Sequence, residues 1–175
     1  MTISEPSWAH PDPATAGIRL DLIPSEVLQA LARGETDAIG SPYLAGPACA
    51  GLWRVRNQQI LATPADHPWV TRLIVDPYVT EPVGVAGFHG APDERGMVEV
   101  GYRVDPDWRR RGYARGALEI LISEAQRHPD VKLVRATISP DNAPSIALVT
   151  AYGFVADGEQ WDDEDGLEII YERDA

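Results

Sequence analysis

The sequence predicts an α/β (α+β) fold with one central, mixed but mostly antiparallel sheet flanked by helices. Three observations point there. Met97 to Val104 alternates, placing Val98, Val100, Tyr102 and Val104 on one face and Met97, Glu99, Gly101 and Arg103 on the other. Ala114, Ala117, Leu118, Leu121, Ile122 and Ala125 recur at helical spacing and give one apolar stripe. β-rich runs and helical runs are interleaved along the whole chain, with no internal repeat.

Taken in order, Ile18 to Ile23 reads as a first strand. Pro24 and Ser25 open a helix through Ala32 that Gly34 stops. Gly40 to Gly51 is rich in Gly, Pro and Ala and reads as loop. A helix from Leu52 to Leu61 ends before Pro64, and Trp69 to Val75 reads as strand closed by Asp76-Pro77. Val83 to Phe88 and Met97 to Val104 form a hairpin about the turn 91–96. The periodic helix follows and ends at His128-Pro129. Val131 to Ile138 is strand, Asn142 to Ala151 helix, and Val155 to Trp161 with Leu167 to Glu172 a terminal hairpin. Residues 1–16, rich in Pro, Ala and Ser and without a basic or apolar leader pattern, read as a flexible lead-in to a single domain over 17–175.

The chain of 175 residues carries a formal net charge of -12. That balance argues against nucleic acid, which needs a basic face, and either favours a cationic or amine-bearing acceptor or only keeps the protein soluble. No apolar run reaches the roughly 20 residues of a membrane span. Cys49 is the single cysteine, so neither an internal disulfide nor C-x-x-C zinc chemistry is expected. These features suggest a cytoplasmic protein, and a homodimer is compatible with them. The four histidines make no metal pattern. Asp163, Asp165, Gly166 and Glu172 fall on calcium-loop spacing, but Trp161 holds the first ligand position, so this stretch reads as an acidic hairpin tip.

Chemistry concentrates in Asp107 to Leu118. Arg109, Arg110, Arg111 and Arg115 surround the start of the best helix, where Gly112 and Ala114 keep side-chain bulk low. Unpaired N–H groups and the positive end of the dipole suit such a terminus to phosphate; the alternative is a solvated arginine face on a surface helix. Neither G-x-x-x-x-G-K-[ST] nor a strand-bound G-x-G-x-x-G is present, which speaks against P-loop and dinucleotide-binding folds.

Arg109-x-x-Gly112-x-Ala114 resembles the Q/R-x-x-G-x-G/A signature of the GNAT acetyltransferases. Glu99-Val100-Gly101-Tyr102 before it, and Asn142-Ala143-Pro144-Ser145 and Gly153-Phe154 after it, extend the resemblance. Gly101-Tyr102 with Arg111-Gly112-Tyr113-Ala114 looks like the branch of ribosomal-protein N-terminal acetyltransferases. The resemblance implies acetyl-CoA as cosubstrate and a sheet splayed between the fourth and fifth strands. It implies that the loop and helix start, Arg109 to Arg115 with Tyr113 among them, hold the pyrophosphate. Tyr102, Arg103 and Val104 would pair with pantetheine like an added strand, and Asn142 would touch the pantetheine arm or simply cap its helix.

The reaction so implied transfers acetyl to a primary amine by direct attack. It needs a group to take the ammonium proton and a donor for the departing thiolate. Glu99 is the candidate base, or else an exposed strand residue. Ser145 is the candidate thiolate contact, or else a helix-start serine bonding its own backbone. Many relatives carry a tyrosine where Val149 stands, so the usual acid is missing, and Tyr152 reads as packing. His89 is a further candidate at the acceptor side. Trp53, Trp69, Trp161 and the acidic turn are candidate acceptor walls. The acceptor reads first as a protein N-terminus, second as a polyamine, amino acid or aminoglycoside. The rival reading is a non-catalytic acyl-CoA-binding or sensing module.

Overall fold

The computed structural model describes residues 7–12, 17–163 and 166–175. Its strands are β1 (Trp8–Ala9), β2 (Arg19–Asp21), β3 (Arg72–Val75), β4 (Gly84–Phe88), β5 (Met97–Val104), β6 (Leu133–Ile138), β7 (Val155–Asp162) and β8 (Gly166–Asp174). The helices are α1 (Ser25–Ala32), α2 (Ala50–Ala62), α3 (Tyr113–Arg127) and α4 (Ala143–Ala151). The strands form one sheet in the order β1-β2-β3-β4-β5-β6-β8-β7. Every neighbouring pair is antiparallel except β5 and β6, which run parallel.

The amphipathic pattern of β5 holds. Val98, Val100 and Val104 are buried, while Met97, Glu99 and Gly101 are half-buried and Arg103 is exposed. The valine face packs on α3, whose Ala117, Leu118 and Leu121 are fully buried. A second apolar cluster fills the space under α1 and α2, with Leu28, Leu31, Trp53 and Ile60. Central β4 is buried along its whole length. Val85 joins the second cluster while Ala86 and Phe88 join the first, so this strand is covered on both sides.

The segment read as a free lead-in differs where it is described. Trp8 and Ala9 pair with Leu20 and Arg19 and add an edge strand. The Trp8 ring lies 3.6 Å from the guanidinium carbon of the buried Arg72 and 5.7 Å from the Phe88 ring. A lone tryptophan in a Pro- and Ala-rich stretch has no periodicity to reveal it, but its ring buries apolar area and stacks on a cation. Residues 1–6 and 13–16 lie outside the described residues, as do Glu164 and Asp165 of the acidic turn. Among the described residues no helix is long and apolar enough to cross a membrane, and no group of three His, Cys, Asp or Glu side chains could hold a metal.

Candidate active site

The parallel pairing of β5 with β6 is brief: Met97, Val98 and Glu99 face Leu133, Val134 and Arg135, and there it ends. Beyond Glu99 the strands part. β5 keeps its antiparallel partner β4 through Val104, and β6 keeps β8 through Ile138, so each strand is held on its outer side only. The parting leaves the inner backbone groups of β5 free of strand pairing, and such groups seek partners. A cleft of 1150 Å³ adjoins this gap. The Tyr102–Val104 stretch forms one wall, Asn142, Ser145 and Leu148 another, and Arg109, Arg110 and Gly112 close one end.

That end is built from backbone. Arg110 has φ 63° and Gly112 has φ 89°. A Cβ added to Gly112 would meet nothing within 4 Å, so glycine is needed there for its left-handed conformation. Gly112 caps α3 without a side-chain hydrogen bond, which leaves first-turn N–H groups of α3 without a capping partner. Arg109 holds the loop to β5 through Nε, which donates to the Val104 carbonyl at 3.1 Å. Arg110, Ala114 and Arg115 also line the cleft.

Two residues of the predicted phosphate loop point elsewhere. The Arg111 guanidinium stacks 4.7 Å above the Trp108 ring and donates to the Asp107 carbonyl. The Tyr113 ring is buried, and its hydroxyl donates to Asp76 Oδ2 at 2.8 Å. Neither side chain lines the cleft. Arg103 lines the cleft, and its guanidinium donates to the Ala48 carbonyl. Cys49, distant from the motifs in sequence, is buried beside it, 3.9 Å from Arg103 Nη1.

Glu99 occupies the last paired rung, where the gap opens. Its side chain is 19% exposed and its Oε1 accepts from Thr137 Oγ1 at 2.5 Å. His89 Nδ1 stands 3.4 Å from the same oxygen. The imidazole fits because residue 101 is glycine: a Cβ there would come within 2.7 Å of His89 Nε2. The His89 carbonyl accepts from Gln59 Nε2 at 2.7 Å, and Gln59 also donates to Asp66 at 2.7 Å. Burial pushes the imidazole below its ordinary value. Glu99 works against that shift and the Arg56 cation adds to it. The shift favours the neutral form of the imidazole. Thr137 and Arg56 carry no sequence signal by themselves; the register of β5 with β6, and the seating of α2 over β4, bring them in.

On the opposite wall, Asn142 Oδ1 accepts from the Ser145 N–H at 3.3 Å, so Asn142 does cap α4 and also lines the cleft. Ser145 lines it one turn before Val149, which is fully buried. Tyr152, expected only to pack, also lines the cleft. Its hydroxyl donates to Glu119 Oε1, and His10 Nε2 stands 2.6 Å from Glu119 Oε2. Burial and the Glu119 bond push the Tyr152 phenol up to about 12. Burial works to raise the Glu119 carboxyl, but Tyr152 and His10 outweigh it and hold the carboxyl below its ordinary value.

Of the tryptophans expected as acceptor walls, Trp53 is fully buried, with Nε1 donating to the Leu44 carbonyl at 2.6 Å, so it belongs to the core. Trp69 packs on Phe88 and His128. Trp161 is 74% exposed on the terminal hairpin.

This geometry has known counterparts. The "Acetyltransferase (GNAT) domain" family matches residues 48–155, more than half of the chain. The chain is 37% identical over 75 residues to the uncharacterized N-acetyltransferase YjdG of Bacillus subtilis, which covers 43% of this chain and 45% of that protein. It is 29% identical over 105 residues to the L-amino acid N-acetyltransferase AaaT of Escherichia coli, covering 54% of this chain and 65% of that one. The matches thus span about half to two-thirds of those relatives' lengths. Among solved structures, the ribosomal L7/L12 α-N-protein acetyltransferase RimL, in complex with coenzyme A, superposes with a TM-score of 0.66. It shares 19% identity, over 93% of this chain and 96% of that one. The expected sheet, splayed between its fourth and fifth predicted strands, here β5 and β6, is the observed one, and the chain belongs to the GNAT acetyltransferase family.

Proposed function

We propose that this protein is an acetyl-CoA-dependent N-acetyltransferase that moves acetyl onto a primary amine by direct attack, without an acyl-enzyme. The observation that carries the reading is the cleft at the β5–β6 parting, with an uncapped helix start at one end and Glu99 where the gap opens. Coenzyme A fits the donors present. Its pyrophosphate would meet the N–H groups of the 110–115 loop and the cations Arg109, Arg110 and Arg115. Its pantetheine arm would take the edge of β5 that no strand pairs, from Tyr102 to Val104, where Arg109 already holds the Val104 carbonyl, with Asn142 facing it.

Glu99 takes the proton that the acceptor ammonium must lose, and His89 beside it is the next acceptor in line. Ser145 faces the thioester end from α4. The net charge of -12 supports a cationic acceptor: a protein N-terminus first, a polyamine, amino acid or aminoglycoside second. We place the protein in the cytoplasm, where acetyl-CoA is at hand. The test is thiol release from acetyl-CoA over a panel of amines and N-terminal peptides. Heat protection by acetyl-CoA with no thiol release from any acceptor would instead identify a binding or sensing module.

A further inference from the structure

We propose that the Tyr102 phenol, with the Ser145 hydroxyl beside it, donates the hydrogen bond that receives the departing coenzyme A sulfur, which makes Tyr102 a catalytic residue through its side chain. The inference rests on the acetyl-transfer reading and adds to it a group on β5 that serves the leaving sulfur.

The Tyr102 hydroxyl is buried and has no partner at hydrogen-bonding geometry. A buried unpaired hydroxyl is costly, and a fold that keeps one has a use for it or loses stability to it. Tyr102 and Ser145 line the cleft from facing walls, β5 and α4. Other hydroxyls near α4 are already committed. Thr150 donates to its own helix at the Ile146 carbonyl, and Tyr152 donates to Glu119. Val149, one turn after Ser145, is apolar and fully buried. Among the described residues of this wall, α4 therefore presents Ser145 alone as a hydroxyl donor, and β5 supplies a phenol opposite it.

The chemistry balances without a further reactant. The amine nitrogen bonds to the acetyl carbon, the carbon–sulfur bond breaks, and its electron pair stays on sulfur. The proton lost by nitrogen passes to Glu99 and on to solvent. The phenol keeps its proton while donating to the thiolate, which is protonated from solvent as coenzyme A leaves. Burial, only partly offset by the Ser145 side chain, holds the phenol above its ordinary value, so it remains a donor throughout the neutral range.

The experiment compares the full chain with Tyr102→Phe in three measurements: coenzyme A affinity by calorimetry, turnover at saturating acetyl-CoA, and titration of the bound coenzyme A thiol by ultraviolet thiolate absorbance. The expected result is affinity within about twofold, turnover down by about 10-fold or more, and a bound thiol that titrates about one pH unit higher in the variant. The melting temperature stays level or rises, because an unpaired hydroxyl has been removed. Unchanged turnover with an unchanged thiol titration, in a folded variant that binds coenzyme A, overturns the proposal. Should Tyr102→Phe misfold, fluorotyrosine at position 102 keeps the ring and strengthens the donor. The bound thiol must then titrate lower, and no shift overturns the assignment. If the wild-type chain failed to bind coenzyme A, the acetyl-transfer reading would fall first. The thiol titration needs no acceptor, so it judges Tyr102 even where no amine turns over.

Discussion

His89 Nδ1 stands 3.4 Å from Glu99 Oε1, at the rung where β5 and β6 part. The histidine is 45% exposed and the carboxylate 19% exposed, so the pair is partly open to solvent on the histidine side. Glu99 is also bound by Thr137 from across the gap, which fixes where its carboxylate sits.

Glu99→Gln keeps the size of the side chain and its bond to Thr137 but loses basicity. Turnover should fall by about 10²-fold or more, with coenzyme A affinity little changed. Glu99 is also the group that raises His89, so without it the imidazole drops further. The acidic limb of the pH–rate profile should move to lower pH or vanish, as steady-state kinetics across pH would record. Ser145→Ala should lower turnover and leave that limb in place.

The His89 shift also has a consequence for stability. Its folded value lies below the unfolded one, about 6.5, because burial disfavours the charged ring. Its contribution is full above that unfolded value and is lost as pH falls from there toward the folded value. Urea denaturation of His89→Gln should therefore show a flatter stability profile than wild type below about pH 6.5. Parallel profiles would place the imidazole in a solvent-like setting.

Acetyl-CoA and coenzyme A should raise the melting temperature, by about 2.7 kcal/mol of stabilisation at a hundredfold excess over Kd. NADH and ATP should do much less. Gly112→Val forces a β-branched residue into φ 89°, at about 1–3 kcal/mol, and should weaken coenzyme A binding beyond what that strain explains. Arg109→Ala should weaken it modestly, and the loss should shrink as salt rises.

Glu119 reports on the tie between the N-terminal strand and the cleft. Its folded value is depressed, so its contribution is present above the ordinary carboxylate range and is lost as pH falls through the folded value. Glu119→Gln should melt below wild type at neutral pH, and the two curves should converge in acid.

Trp8→Ala removes a ring that covers both Arg72 and Phe88. It should destabilise the fold by about 2–4 kcal/mol, somewhat less than loss of a fully buried tryptophan. Chemical denaturation measures this directly, and a change under 0.5 kcal/mol would return residues 7–12 to the status of a loose lead-in.

What the sequence by itself determined is the set of elements from β2 onward and the arginine-rich loop that enters α3. The alternation in β5, the stripe of α3, Asn142 at the start of α4, and the arginines around Gly112 are local patterns, and local sterics and capping decide them. What tertiary structure decided is which side chains meet. Arg111 and Tyr113 sit inside the signature, yet their side chains turn to Trp108 and Asp76, contacts that only the folded chain supplies. Tyr152 reads as packing in one dimension and reaches the cleft in three, with its hydroxyl held by Glu119, whose other oxygen His10 contacts. Glu99 meets Thr137 and His89 only because β6 lies parallel to β5 while β4 lies antiparallel to it. Those partners stand 38 and 10 positions from Glu99 along the chain, and strand register, which no local periodicity encodes, brings them within hydrogen-bonding reach.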